Sequence, residues 1–325
     1  MATTTEYLEA PAAAAVSVPL RHQYVAFGVM VGFFVVAPFA VYPVFLMKAL
    51  CFGLFACAFN LLIGYVGLLS FGHAAFLCSA GYTTAHAAKV WGLPPELAVL
   101  AGTAVAGLLG LAIGALAIRR QGIYFAMTTL ALAQMIYFFC LQAKFTGGED
   151  GIQAVPRGTV LGVLDLRHTL TIYFVVLAVF LAGFLLIYRT IHSPFGQVLK
   201  AIRENEPRAT SLGYTADRYK LIAFVLSATL SGLAGGTKAL VFQLASLTDV
   251  HWGMSGEVVL MTLLGGLGTV FGPVVGALIV VTLENYLAQL GAWVTVVQGV
   301  IFVVCVLTFR RGVVGELGRL LKRPL

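Results

Sequence analysis

The residues with the greatest potential for chemistry stand together in one charged segment, Ser193–Gly213, of a chain that is otherwise almost continuously apolar. Its guanidinium and carboxylate groups are suited to ion pairs and charge-assisted hydrogen bonds, which is the chemistry of recognition. A polar segment of this length between apolar runs needs an aqueous or protein surface beside it. Because it combines both charge signs with an apolar face, we predict that its partner is a protein.

Local signals divide this segment into two short helices. Ser193 caps a helix that begins at Pro194, whose fixed φ angle suits the first helical position. Pro207 ends that helix and begins a second one, with Asn205 or Glu206 near its cap, and the second helix stops at Gly213. Two short helices at an angle are a shape that fits a groove on a cytosolic protein. The predicted docking residues are Val198, Leu199, Ile202, Arg203, Glu204, Asn205, Glu206 and Arg208.

Membrane lipid is the alternative partner for this segment. The basic residues between Arg189 and Lys220 favour an amphipathic helix pair that lies on anionic lipid. Glu204, Glu206 and Asp217 argue against that arrangement, because anionic headgroups repel carboxylates. We therefore prefer a protein partner, with lipid as the solvent of the rest of the chain.

The remainder of the chain is too apolar for a soluble fold. Apolar residues make up 60% and charged residues 10% of its 325 residues, and the mean hydropathy is +0.97. Ala49–Ala88 and Gly256–Leu290 are each long enough for a pair of short spans. Together with six longer apolar runs, these two pairs give about ten helices, which predicts an all-α polytopic membrane protein. The six longer runs are Tyr24–Met47, Glu96–Ile118, Gln121–Gln142, Thr169–Tyr188, Leu221–Phe242 and Ala292–Phe309.

The basic residues orient these predicted spans. They cluster at Arg21, Arg119–Arg120, Arg189–Lys220 and Arg310–Arg323, and the side of a membrane that is rich in Lys and Arg is cytoplasmic. Lys48 is assigned to a connection on the opposite side. With six spans before the polar insert and four after it, both termini lie in the cytoplasm.

This topology divides the chain into a disordered cytoplasmic tail at 1–20, a transmembrane domain at 21–312 and a basic cytoplasmic tail at 313–325. Within the domain, the polar insert at 189–220 is cytoplasmic. The connection at 144–168 is assigned to the extracytoplasmic side, because its basic residues are balanced by acidic ones.

The sequence predicts no metal, cofactor or nucleic-acid site. The five cysteines lie within apolar runs and lack metal-ligand spacing, so we interpret them as small buried hydrophobes. The six histidines form no i, i+4 pair within one span, and no haem or cluster motif is present. The net charge of +7 does not indicate nucleic acid, because the basic residues lie at span ends.

Polar residues that interrupt the apolar runs mark a candidate pathway through the membrane. The run Gly64–His73 combines helix-weakening glycines with a serine and a histidine. Broken helices at membrane depth are tolerated where they are buried in protein or line a cavity. Each polar residue has an alternative role as a hydrogen bond between helices. The candidate pathway residues are Ser70, Gly72, His73, Thr128, Thr129 and Gln134.

Gly268, Gly272 and Gly276 recur at every fourth position. On a helix, this spacing forms a groove that another backbone can approach closely, which matters because lipid offers no hydrophobic drive for helix association. We predict packing within one subunit, with a seam between subunits as the alternative. The run Gly265–Gly268 is no nucleotide loop, because no Lys-Ser or Lys-Thr follows it.

Four sequence blocks follow one another along the chain: GYVGLLSFGHAAF (Gly64–Phe76), GIYFAMTTLALAQMIY (Gly122–Tyr137), GQVLKAIRENEPRATSLGYTADRYKLIAFVLSATLSGLAGG (Gly196–Gly236) and SGEVVLMTLLGGLGTVFGPVVGA (Ser255–Ala277). In this order, they resemble the branched-chain amino acid ABC transporter permeases of the LivM type. The similarity extends from about residue 40 to residue 310, and TGGEDGI at Thr146–Ile152 resembles the outer loop of that family.

The resemblance implies a type II importer-like permease in a bacterial inner membrane, without catalytic residues of its own. It implies a homologous second permease, two cytoplasmic ATP-binding subunits that fit the polar insert, and an extracytoplasmic substrate-binding protein. Branched-chain or other hydrophobic amino acids are the expected substrates, with urea, short amides and aromatic acids as alternatives. A stand-alone secondary transporter is the competing class, and Glu257 and Glu284 are its main acidic candidates.

Overall fold

The structure is a computed structural model that describes residues 20–160, 162, 164–288, 293–308 and 312–320. Helices make up most of these residues, which confirms the predicted helical class. The described helices are α1 (Leu20–Val36), α2 (Pro43–Tyr65), α3 (His73–Lys89), α4 (Pro95–Ala117), α5 (Ile123–Gln142), α6 (Thr169–His192), α7 (Pro194–Glu204), α8 (Glu206–Ser211), α9 (Ala216–Phe242), α10 (Trp252–Gly265), α11 (Gly272–Leu287), α12 (Val294–Thr308) and α13 (Gly312–Leu320).

Among the described residues, four very short strands, which were not predicted from the sequence, lie at one end of the bundle. They are β1 (Ile152–Gln153), β2 (Thr159–Val160), β3 (Leu164–Asp165) and β4 (Leu244–Ala245). β1 pairs antiparallel with β4, and β2 pairs antiparallel with β3. The predicted extracytoplasmic connection at 144–168 is therefore an ordered loop in its described part.

The predicted span Tyr24–Met47 is wrong, because the structure divides it between two helices. α1 ends at Val36, a 3-10 turn covers Ala37–Phe39, and α2 begins at Pro43. Proline lacks a backbone N–H and is well suited to the first turn of a helix, which explains why α2 starts there. Lys48 consequently lies inside α2, and its predicted place in a connection is also wrong.

α2 is the central helix of the bundle. It packs against α6, α9, α10 and α11, and large side chains such as Phe55 and Phe59 are fully buried around it. Helices inside lipid associate through close van der Waals packing, so a helix that is enclosed by its neighbours makes the most of that attraction.

Glycines allow α4 and α9 to approach each other closely. A methyl group at Gly110 would lie 2.5 Å from Ala228 Cβ, and one at Gly232 would lie 2.3 Å from Ala106 Cβ. Both distances are shorter than atoms tolerate. The missing side chains of these two glycines therefore let α4 and α9 pack closely within this subunit.

The region Gly256–Leu290, predicted as a pair of short spans, forms α10 and α11 in its described part. Gly272 begins α11, and a methyl group at Gly276 would lie 1.8 Å from the Met261 carbonyl oxygen on α10. Gly268 lies in the connection between the helices, with φ +74°. The prediction that Gly268 packs as part of a helix is therefore wrong.

The helical bundle has two ends, and contacts between residues show which helix termini lie at each end. At the hairpin end, where α7 and α8 lie, α2 finishes, α9 begins and the α10–α11 connection approaches Gly64. α13 also lies there, because Gly312 packs against Gly266 of that connection. At the opposite end, the loop end, Lys48 of α2 reaches Glu284 of α11, and Tyr173 of α6 donates a hydrogen bond to the Phe34 carbonyl of α1.

Five of the described helices, α2, α4, α5, α6 and α9, are long and apolar enough to cross a membrane. Shorter apolar helices cover Tyr24–Phe39 and Gly272–Leu287. The predicted basic tail at 313–325 starts as helix α13, which packs on α10 and α11 with Val314 buried. Residues 1–19 and 321–325 of the two predicted tails lie outside the described residues.

We expect Gly276→Ala to destabilise the fold, because the new methyl group would collide with the α10 backbone at Met261. Overpacking of this kind costs about 1–3 kcal/mol. Gly256→Ala is the matched control, since it lies on α10 with nothing within 4 Å of the new methyl group. Thermal melting of the detergent-purified variants measures both effects, and equal melting temperatures for the two variants would contradict the close packing.

Candidate functional site

The helical hairpin α7–α8 forms as its local sequence predicts. The Ser193 side chain accepts a hydrogen bond from the Gly196 amide at 3.3 Å, and Asn205 Oδ1 accepts one from the Arg208 amide at 3.0 Å. These two bonds satisfy amides that a helix start leaves without a partner. Gly213 follows α8 with φ +94°, a backbone conformation that glycine adopts easily.

The apolar face of the hairpin packs inside the chain. Leu199 is fully buried in the core that α3, α4 and α9 share, and Ile202 is buried with Ala209 and Ala216. Val198 is partly buried against the same small cluster. These three apolar residues were predicted to belong to a docking surface, whereas in the structure they hold the hairpin on the bundle.

The exposed tip of the hairpin carries Glu204, Asn205 and Arg208 from the predicted docking set. It also carries Leu212, whose residue surface is 72% exposed and which the sequence analysis missed. Leu212 follows Arg208 by one helical turn, so an apolar and a charged group lie side by side on this surface. The sequence signal for this exposed residue was the position of the leucine directly before Gly213, where the second helix ends. We call Glu204, Asn205, Arg208 and Leu212 the tip surface.

Arg203 is exposed on the hairpin, but its guanidinium reaches the bundle. Its guanidinium Nη1 donates a hydrogen bond to the Gly64 carbonyl near the end of α2. A methyl group at Gly67, where φ is +81°, would lie 3.2 Å from Arg203 Cγ, so the stem of the side chain runs over that glycine. Arg203 therefore connects the hairpin to the central helix.

Glu206 is also engaged within the chain. Its carboxylate pairs with Lys220 of α9 at 2.5 Å and accepts a hydrogen bond from Gln121 Nε2, just before α5, at 3.3 Å. The Lys220 side chain is only 4% exposed. A buried ammonium group is costly without an opposite charge, so the Glu206 carboxylate stabilises the point where α8 turns into α9.

Gln134 is the predicted pathway residue that lines an open cavity. The cavity has a volume of about 490 Å³ and lies between α5 and the start of α10. Aromatic walls with a few polar groups are typical of small-molecule sites. The lining residues are Leu130, Gln134, Tyr137, His251 and Trp252.

Ser70, Gly72 and Thr129 belong to a network that caps the start of α3. Ser70 Oγ accepts a hydrogen bond from the Gly72 amide at 3.2 Å, and Thr129 Oγ1 accepts one from the Phe71 amide at 3.2 Å. Ser255 Oγ, on α10, accepts one from the Ala74 amide at 3.0 Å. These hydroxyls replace the water that the amides of a helix start would otherwise need.

His73 is fully buried, with its ring edge-on to the rings of Phe59, Phe76 and Phe224. Its Nε2 lies 2.9 Å from Ser227 Oγ, which in turn donates to the Ala58 carbonyl at 2.5 Å. Because the serine proton points at that carbonyl, His73 donates through Nε2. This is the hydrogen bond between helices that the sequence analysis left as an alternative to a pathway role.

Thr128 makes a similar local bond, since its hydroxyl donates to the Tyr124 carbonyl of its own helix at 2.7 Å. Such a bond satisfies the hydroxyl inside an apolar environment without a second helix. Of the six pathway candidates, Gln134 is therefore the one that the described part of the structure brings to a cavity.

Charged side chains within the bundle pair near its loop end. Lys48 Nζ lies 3.0 Å from Glu284 Oε2, and Lys238 pairs with Asp249 at 2.5 Å. Both ammonium groups lie over the Phe52 ring, at 5.8 and 5.0 Å from its centre. The Lys48–Glu284 pair was not predicted from the sequence, because the two residues are more than 200 positions apart. No group of three His, Cys, Asp or Glu residues in the described ranges is arranged to hold a metal ion.

Residues 43–306 match the protein family described as branched-chain amino acid transport system / permease component. The match covers most of the chain, and the chain belongs to this family. It is a multi-pass membrane protein of the permease class, in agreement with its apolar helical bundle.

Curated relatives agree with this assignment. The chain is 27% identical over 245 residues to the high-affinity branched-chain amino acid transport system permease protein LivM of Escherichia coli and to its counterpart in Salmonella typhimurium. The matched region covers 68% of this chain and 58% of each relative. It is also 30% identical over 244 residues to the ribose import permease protein RbsC of Bacillus subtilis, which covers 68% of this chain and 70% of that protein. No solved structure matches the chain.

We expect Lys48→Met to lower the melting temperature, because it leaves the partly buried Glu284 carboxylate without its ion pair. An unsatisfied buried acceptor costs about 1–3 kcal/mol. Combining Lys48→Met with Glu284→Gln removes both charges and should recover most of the loss. Thermal melting of the single and double variants in detergent measures the coupling, and a strictly additive pair would contradict it.

Proposed function

We propose that this chain is the transmembrane permease subunit of an ATP-driven importer in a bacterial inner membrane. The observation that carries the proposal is the α7–α8 hairpin. Its apolar face and two polar contacts attach it to the bundle, while its tip surface projects charged and apolar groups outward. A rigidly attached short helix can transmit a displacement to the bundle, whereas a flexible loop would not.

The proposal includes ten membrane-crossing helices, α1–α6 and α9–α12, in a type II importer-like arrangement. α1 begins and α13 lies at the hairpin end, which supports a topology with both termini on the side of the hairpin. We assign that side to the cytoplasm because basic residues cluster there, at Arg119–Arg120 and between Arg189 and Lys220. The strands of the loop end then face the outside.

Three kinds of partner follow from this arrangement. Two cytoplasmic ATP-binding subunits would hydrolyse ATP and contact the tip surface, since the permease itself carries no catalytic residue in the proposal. A homologous second permease would complete the pathway, in which the Gln134 cavity supplies one wall. An extracytoplasmic substrate-binding protein would deliver the substrate at the loop end.

Branched-chain or other hydrophobic amino acids are the proposed substrates. The names of the LivM relatives support this choice, and the aromatic and apolar walls around Gln134 suit an apolar side chain. The similarity to a ribose import permease supports a sugar as the second candidate. Urea, short amides and aromatic acids are further alternatives within the same class.

Uptake of labelled leucine into vesicles tests this proposal. With the partner subunits and the binding protein present, we expect uptake that depends on ATP and is inhibited by valine and isoleucine but not by ribose. Inhibition by ribose instead would make the sugar the substrate. Uptake by this chain alone without ATP would identify a secondary transporter and contradict the proposal.

The double variant Glu204→Arg with Arg208→Glu tests the tip surface in the same vesicles. Reversing both charges should release the ATP-binding subunits from detergent extracts and abolish uptake, because the reversed groups repel a complementary surface. Arg189→Glu, an exposed reversal at the end of α6, is the control that should keep the subunits bound. Retention of the subunits by the double variant would exclude the tip surface as their contact.

Cysteine labelling tests the orientation independently of transport. A cysteine at Thr210, exposed on α8, should react only with reagent on the cytoplasmic side, and one at Glu149, exposed in the 144–168 loop, only from outside. The unsubstituted chain is the background control, and its described native cysteines are buried. The reverse pattern would overturn the proposed orientation.

A further inference from the structure

We propose that Arg203 is a positioning residue that transmits movement of the α7–α8 hairpin to the glycine-rich connection between α10 and α11. The inference rests on the proposed function, since it assigns a route by which force at the tip surface reaches the pathway helices. It separates Arg203 from the docking surface. The hairpin then has two functions. The tip surface contacts the partner, and the Arg203 guanidinium transmits the movement to the bundle.

The first observation is the position of the Arg203 guanidinium between two backbone segments. It donates to the Gly64 carbonyl at the end of α2. A methyl group at Gly268, in the α10–α11 connection, would lie 3.4 Å from the same Arg203 Nη1 and 3.3 Å from the Gly64 carbonyl oxygen. The guanidinium therefore lies where the central helix and the connection meet.

The second observation is that Asn60 ties these two segments into one unit. Its side chain donates to the Thr269 carbonyl at 2.9 Å and accepts from the Gly268 amide at 3.0 Å. Asn60 is only 3% exposed, and hydrogen bonds in such a dry environment are strong. A pull on Gly64 by Arg203 is consequently shared with the connection.

The third observation is the backbone of the connection itself. Gly266 and Gly268 have φ angles of +124° and +74°, and the connection joins two short helices. Glycines tolerate a wider range of φ and ψ angles than other residues, so this connection can change its angle at low cost. α10 begins at Trp252, in the wall of the Gln134 cavity. A change of angle at the connection therefore reaches the cavity wall through one rigid helix.

Other contacts hold the hairpin in place without Arg203. Leu199 and Ile202 are buried in the bundle, and Lys200 Nζ lies 5.7 Å from the centre of the Tyr65 ring. Glu206 pairs with Lys220. A variant that loses only the guanidinium should therefore keep the fold, the hairpin and the tip surface. This makes the role of Arg203 testable by itself.

The test uses the complete reconstituted transporter and compares Arg203→Met with Arg203→Lys. Methionine keeps an unbranched apolar stem over Gly67 but cannot donate to Gly64, whereas lysine retains a charged donor. For Arg203→Met, we expect normal assembly and ATP hydrolysis, with the number of substrate molecules imported per ATP reduced on the order of tenfold, as for loss of one charged hydrogen bond. Arg203→Lys should recover part of that ratio. Arg189→Met, an exposed arginine on α6, is the matched control and should leave the ratio unchanged.

A distance measurement gives a second result that does not depend on transport. Spin labels at Ala201, exposed on α7, and Leu267, 39% exposed in the connection, report whether the two segments move together. In the wild type, the distance between them should stay constant when ATP binds. In Arg203→Met, it should change or broaden.

Each outcome bears on one of the two proposals. An unchanged import ratio and an unchanged label distance in Arg203→Met would overturn the role of Arg203, with the importer itself intact. Release of the ATP-binding subunits by this variant would also overturn it, because Arg203 would then be a docking residue. Failure of the wild-type complex to import with ATP would instead contradict the proposed function.

Discussion

The structure depends on one physical constraint: a polar group inside an apolar bundle must find its partner within the chain. The central helix α2 meets this constraint at both of its ends. At the loop end, Lys48 pairs with Glu284 of α11. At the hairpin end, Asn60 and the Gly64 carbonyl bind the α10–α11 connection and Arg203. These contacts join parts of the chain that are distant in sequence. They hold the shorter helices α10 and α11 against the buried central helix α2.

The same constraint explains the break between α2 and α3. A helix that begins inside the bundle exposes amide groups that water cannot reach. Hydroxyl groups from three different segments, Ser70, Thr129 and Ser255, accept these hydrogen bonds. Ser70 and Thr129, which were predicted to line a pathway, therefore serve as hydrogen-bond acceptors for backbone amides. Gln134, which faces a cavity, is free of that requirement in the described contacts.

The hairpin combines attachment and exposure within 18 residues, Pro194–Ser211. Its buried leucine and isoleucine give it a fixed position, and its internal polar contacts reach two separate groups of helices. Arg203 reaches α2 and the α10–α11 connection, while Glu206 reaches α9 and the start of α5. A displacement of one small element is therefore distributed to both sides of the bundle. This arrangement is compatible with a permease that performs no chemistry and responds to a partner.

The sequence by itself determined the membrane class, the helical hairpin with its caps, and the family, because these depend on local patterns: apolar runs, prolines, cap residues and ordered blocks. It also indicated that Gly276 lies at a close helix contact. Tertiary structure decided that the Arg203 guanidinium bonds the central helix, that Lys48 lies inside a helix, and that Gly268 lies in a connection. The physical reason is that Arg203 and Glu204 are neighbouring charged residues of the same helix, and the local sequence does not show which one contacts the bundle. Only the positions of Gly64 and Gly268 in the fold show that it is Arg203. Such long-range partners are brought together by packing, which neighbouring residues in the sequence do not encode.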